Sequence, residues 1–202
     1  MEKKKARKRR KRKVRSFRQK KWRQLRLELL LSMFISSLFF TLGAFFLFAF
    51  PIVQGYGMSG ILENKDRLVV YKFGDIERFS LVYLNVPNKP KEKSIRRVIG
   101  LPGEEITYKN DQLFVNGQEK VERYLTEKVY RAKQEEYLFT EDFTMRKLAK
   151  TNVSRIPQGK YFVLGDNRPY VSDSRYYGFI DQEDIIGVVK MRLFPLHEMT
   201  NF

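Results

Sequence analysis

From Leu29 to Phe50 the chain reads LLLSMFISSLFFTLGAFFLFAF, an apolar run without a single charge. Coiled as a helix at about 1.5 Å per residue, its roughly 22 residues would cover about 33 Å, the thickness of a bilayer core. A buried helix of a globular protein seldom runs this far uncharged, so the pattern predicts a membrane-spanning helix. The run exceeds the ~7 to 15 apolar residues of a cleavable export signal, and it ends in Phe-Ala-Phe-Pro rather than in small side chains. An uncleaved anchor is therefore expected over residues 29–50.

Beyond Gly55 the pattern changes to short β-branched and aromatic runs broken by turns. Arg67–Tyr71, Arg97–Ile99, Gln112–Val115, Tyr161–Leu164 and Ile185–Val189 read as strands. Asn116-Gly117 directly follows one of them, and this dipeptide suits the two positive φ values of a tight hairpin. Between Val121 and Arg155 the sequence is more polar, with one amphipathic stretch around Phe143–Leu148, which predicts a cap inserted into the β domain. The expected fold is mainly β: a basic tail (1–28), one transmembrane helix (29–50) and an antiparallel β domain (51–202) with a cap at about 121–155.

Charge changes the picture less than its total suggests. The formal net charge is +17, which alone would point to nucleic acid. Yet 16 of the 40 Lys and Arg residues, and one of the 23 acids, fall within Met1–Arg26. The outer domain is nearly neutral, so no nucleic acid partner is expected there. Basic residues beside an apolar helix stay cytoplasmic, which predicts an N-in, C-out topology at the cell membrane. The tail could also hold anionic lipid head groups; tethering of RNA or DNA through it is the less favoured reading.

The chain has no cysteine and one histidine, His197. Disulfides, thiolate nucleophiles and Cys-ligated metals are excluded, and a Ser-His-Asp triad is disfavoured. His197, in Leu-His-Glu near the C-terminus, reads as a surface or packing residue. No metal site and no cofactor are expected.

Three stretches carry a resemblance. Arg97-Val-Ile-Gly-Leu-Pro-Gly-Glu104 includes Gly100, Pro102 and Gly103; Gly165-Asp166-Asn167-Arg168 is followed by Asp173-Ser174-Arg175; and Gly74-Asp75-Ile76 precedes both. In this order behind an anchor they resemble the boxes of type I signal peptidase, peptidase S26. The resemblance implies two antiparallel sheets and a serine nucleophile whose proton is taken by a neutral lysine. It also implies that Asp173 pairs with Arg175 and Arg97.

Laid on the nucleophile box of that family, Gly55-Tyr-Gly-Met-Ser-Gly-Ile-Leu62 places Met58 and Leu62 on their counterparts, Asp66 on the following acid, and Gly57 on the serine. Gly60 and Ile61 replace the Pro and Thr of the box. Arg96 falls on the lysine, and arginine keeps its proton near neutral pH. Val171 falls on the serine that orients the lysine. The resemblance then implies a degenerate dyad, closest to the catalytically degenerate signal-peptidase-like proteins of streptococci. The leading expectation is a non-catalytic accessory factor or chaperone in pilus assembly, binding pilin subunits or a sortase. The alternative is an active signal peptidase with a displaced dyad built on Ser59, which lies two residues past Gly57 and would face the same way in an extended segment. Lys93 is the lysine nearest Arg96 in sequence.

Overall fold

A computed structural model describes residues 2–89 and 91–202, with side chains from Lys21 onward. The chain divides into two compact units, Met1–Phe46 and Leu47–Phe202. The elements in order are α1 (Glu2–Leu47), β1 (Phe48–Ala49), β2 (Arg67–Tyr71), β3 (Leu81–Asn85), β4 (Lys93–Gly100), β5 (Ile106–Lys109), β6 (Gln112–Val115) and β7 (Gln118–Lys120). They continue with α2 (Thr126–Gln134), β8 (Phe143–Thr144), β9 (Lys160–Leu164), α3 (Ser174–Tyr177), β10 (Ile180–Asp181), β11 (Ile185–Phe194) and β12 (Thr200–Asn201).

The first unit is helix α1. Its portion Lys21–Leu47 has a mean hydropathy of 2.1 over its most apolar window, and Phe34, Phe39 and Phe40 point outward. Its hydroxyls are satisfied within the helix: Ser32 donates to the Leu29 carbonyl and Thr41 to that of Leu38, both at 2.9 Å. Such a helix is consistent with a single-pass membrane protein, since lipid offers no partner to polar groups. The head-group expectation rests mainly on side chains of residues 1–20, which lie outside the described ones.

The helix stops at Leu47, three residues short of the expected end. Phe48 and Ala49 pair instead with Tyr71 and Val70, and the Leu47 carbonyl accepts a bond from the Lys72 amide at 3.0 Å. Pro51 reinforces the exit, because the residue before a proline favours extended backbone.

The second unit holds two antiparallel sheets. The larger runs β1-β2-β11-β3-β4-β9-β10, with β12 added on β11, and the smaller runs β7-β6-β5-β8. Alternation assigns the faces. In β9, Phe162 and Leu164 enter a cluster with Ile106, Tyr108 and Leu113 of the small sheet. Tyr161 and Val163 of the same strand join Val82, Val98 and Val188 on the other face. A third cluster packs Val53, Met58 and Leu62 against Leu68, Val70 and Val189. A strand buried on both sides reads as a continuous apolar run, as β9 does.

Asn116 and Gly117 have φ of 50° and 79° and join β6 to β7 as the sequence predicts. Within residues 121–155 the helix is α2, and in the amphipathic stretch around Phe143–Leu148 the residues Phe143 and Thr144 pair with Tyr108 and Thr107 of β5. Tyr108 and Phe162 flank Phe143 with ring centroids 5.1 and 5.9 Å away, so the apolar residue serves a sheet. Helix α2 has Glu127 in its first turn and Arg131 and Lys133 in its last, which complements the helix dipole.

Candidate active site

Residues Tyr56–Leu62 form a compact turn, closed by bonds from the Ser59 amide to the Tyr56 carbonyl (3.1 Å) and from the Leu62 amide to the Met58 carbonyl (2.9 Å). Met58 and Leu62 anchor it in the core. Asp66, beyond the turn, accepts from the Glu63 amide and from Arg192, each at 3.0 Å. The turn is fastened to the 165–168 box at two points: Asn167 donates its amide to the Gly57 carbonyl and its side chain to the Tyr56 carbonyl, both at 3.0 Å.

The fold brings Gly57, Arg96 and Val171 together. A Cβ on residue 57 would lie 2.8 Å from Val171 Cγ2 and 3.2 Å from Arg96 Nη1. Arg96 is spent on backbone: Nε and Nη2 donate to the Ser172 carbonyl at 3.1 and 2.8 Å, and Nη1 to the Ile95 carbonyl at 2.6 Å. Gly165 belongs to the same packing, because a Cβ there would meet both Val171 methyls and the Gly57 carbonyl at 2.5–2.7 Å.

The charged residues of the boxes are structural ties. Asp166 is fully buried and takes Arg97 through both oxygens, at 2.9 and 2.5 Å. Asp173 takes Arg175 at 2.9 Å through each oxygen and caps the Gly165 amide at 3.1 Å. The expected Asp173–Arg97 pair is thus corrected to Asp166–Arg97: the Gly165 amide and Arg175 occupy Asp173. Ser174 accepts the Val163 amide at 3.0 Å. Arg168 is buried against Tyr108, Thr140 and Glu122, so it ties the box to the cap. In the second box, Gly103 has a φ of +85° and a Cβ on Gly100 would collide with Ile156 and Ile106; Pro102 lies in the turn between them. Gly74 packs on Val188 in the turn after β2, with Asp75 beside it.

Ser59 is half-buried; its hydroxyl donates to Glu63 Oε1 at 3.2 Å, an oxygen that also receives the Gly60 amide at 3.0 Å. Lys93 lines a cleft with Gly57 and Met58, and its amine lies 5.8 Å from the centre of the Tyr83 ring. The amine that reaches the turn belongs to Lys128 of α2, which donates to the Ser59 carbonyl and, at 2.9 Å, to the Asp166 carbonyl. Nothing in the sequence pointed to Lys128, which stands 69 positions from Ser59 inside a polar helix. His197 is exposed and lies 3.5 Å from Glu198. A small cleft opens between the segment before the turn and the start of β4, lined among others by Ile52, Gln54, Gly57, Tyr83, Lys93 and Ile95.

Comparison with known proteins agrees with this architecture. The family profile described as "Signal peptidase, peptidase S26" matches residues 26–194. Signal peptidase I of Bacillus caldolyticus is 41% identical over 157 residues, covering 76% of this chain and 83% of that protein. Signal peptidase IB of Staphylococcus aureus (strain Mu50) is 37% identical over 179 residues, covering 85% and 91%. The crystal structure of a signal peptidase I from Enterococcus faecalis V583 superposes with a TM-score of 0.54 at 39% identity, over 57% of this chain and 97% of that one. These relatives bear the names of signal peptidases, which overturns the expectation of a non-catalytic pilus accessory and favours the peptidase alternative. By the profile match across most of its length and by these relatives, the chain belongs to the signal peptidase family, peptidase S26.

Proposed function

We propose that this protein is a membrane-anchored serine endopeptidase that cuts signal segments from exported proteins, with Ser59 as nucleophile in place of a residue at position 57. The observation that carries the reading is the placement of Ser59. It lies on the turn that the 165–168 box fastens, one residue past Met58 of the cleft lining, with a lysine amine at its own carbonyl.

The surroundings suit a peptide substrate. Residues Lys93–Arg97 of β4 pair with β3, whereas β9 pairs only from Arg97 onward. The cleft therefore runs beside extended backbone, where a peptide can be held as an added strand. The basic residues Lys21, Arg23 and Arg26 flank the apolar part of α1, which supports the reading of that end as cytoplasmic and of the β domain as outer, where exported chains emerge.

The test uses the full-length protein in lipid vesicles with a preprotein substrate, read by mass spectrometry of the products. Cleavage between the signal segment and the mature part is expected, and Ser59→Ala abolishes it. No turnover by the wild-type protein, or undiminished turnover by Ser59→Ala, overturns the reading.

A further inference from the structure

We infer that Lys128 of helix α2 is the general base that activates Ser59, so that the cap contributes half of the catalytic pair. This rests on the assignment of Ser59 as nucleophile.

Three features converge on Lys128. First, its arm lies close over Gly60: a Cβ there would lie 2.7 Å from Lys128 Cε and 3.0 Å from its amine. Second, the amine is held by two carbonyls, those of Ser59 and Asp166. A neutral amine has two N–H bonds and one lone pair, so these two acceptors use its donors and leave the lone pair as the open position. Third, the helix is fixed relative to the turn. Arg168 binds Glu122 at 2.6 Å and the Arg97 guanidinium stacks 3.9 Å from the centre of the Tyr124 ring, both just before α2.

Burial lowers the Lys128 amine from the ordinary lysine range; Arg168 and Arg97 push the same way, while Asp166 and Glu63 oppose it. The Phe139 ring, 5.9 Å from the amine, completes its surroundings. Arg96, by contrast, is committed to the Ser172 and Ile95 carbonyls.

The proton bookkeeping closes with these two side chains. Rotation of the Ser59 hydroxyl from Glu63 toward Lys128 lets its oxygen bond to the scissile carbonyl carbon as its proton passes to the amine. The resulting ammonium returns that proton to the leaving nitrogen as the C–N bond breaks, giving an ester on Ser59. Water then attacks the ester, Lys128 takes its proton, and the Ser59 oxygen receives that proton as the acid product departs.

The experiment compares wild type, Ser59→Ala, Lys128→Met and Lys128→Arg in the vesicle assay across pH 6–10. In parallel, acetic anhydride labelling of the wild type measures the pH at which Lys128 becomes reactive. Loss of a base is expected to cost about 10²–10⁴-fold, and Lys128→Arg is expected not to restore it, although it can still donate to both carbonyls. Labelling of Lys128 should begin at lower pH than that of surface lysines. Rescue by Lys128→Arg, or a rate within a few-fold in Lys128→Met while Ser59→Ala is dead, overturns the base assignment and leaves the nucleophile standing. Absence of turnover in the wild type overturns both.

Discussion

Val171 fills the volume that a side chain on Gly57 would enter: the distance from Val171 Cγ2 to a Cβ on residue 57 would be only 2.8 Å. Val171 is 7% exposed and presses equally on Gly165, so it has little room to retreat. The two glycines and the valine are mutually fitted.

A serine placed at residue 57 should therefore be costly alone and tolerated with a smaller neighbour. Gly57→Ser is expected to lose about 1–3 kcal/mol, the range for overpacking a well-filled site. Gly57→Ser combined with Val171→Ser should recover most of that loss. A double-mutant cycle by chemical denaturation measures the coupling, and additive losses would show that Val171 is not the obstacle.

The same packing predicts how the usual dyad of the family could be rebuilt. Arg96 spans from β4 to the Ser172 carbonyl with two donors, a fork that a lysine ammonium does not reproduce. Arg96→Lys alone should loosen residues 171–173, seen as faster amide exchange there. In the triple variant Gly57→Ser, Arg96→Lys, Val171→Ser, the amine is freed beside a hydroxyl. Preprotein cleavage should then persist when Ser59→Ala is added. Continued dependence on Ser59 would show that residue 57 is not a competent nucleophile site.

Much of this architecture was legible in the sequence because its signals are local. Arg67–Tyr71 and Gln112–Val115 alternate over their own length, and Asn116-Gly117 fixes its hairpin with two φ angles. The boxes could likewise be read, since close backbone approaches leave glycine at fixed spacings. Long-range choices were hidden. Asp166 and Asp173 stand seven positions apart in one box, and only the fold decides which of them receives Arg97. Leu81–Asn85 and Ile106–Lys109 escaped notice as strands, the second because its only aliphatic residue is Ile106. Helix α2 has Ala132 as its one buried residue, too sparse a stripe to declare a helix or to single out Lys128.

Arg168 should be the costliest of the box residues to remove. It is 1% exposed and donates to the Gly165 carbonyl, Tyr108, Thr140 and Glu122 at 2.6–3.2 Å. Replacing it by methionine leaves the Glu122 carboxylate, itself poorly exposed, without its cation. Breaking a buried pair in this way costs about 3–5 kcal/mol. The expected outcome is a large fall in unfolding free energy, with protease sensitivity appearing first in residues 121–140. A loss within ~1 kcal/mol would mean that the cap is held mainly by its apolar contacts.

Alkaline stability should depend on Tyr177. Among the described residues its buried hydroxyl meets no hydrogen-bond partner. Burial raises its pKa well above the ordinary phenol range, only partly offset by nearby Arg96. A phenol raised in the fold keeps its full contribution to stability below the unfolded value, about 10. Above it the unfolded chain releases a proton that the folded chain retains, so stability falls as pH climbs toward the folded value. Tyr177→Phe removes this contribution and an unsatisfied polar group together. At pH 8 the variant should match the wild type or exceed it by up to ~1 kcal/mol. Between pH 10 and 11.5 it should lose less stability than the wild type, though not none, because buried Tyr108 and Tyr124 are raised as well. Denaturation curves at pH 8, 10 and 11.5 measure the difference, and parallel losses in the two proteins would place the alkaline sensitivity in the other tyrosines.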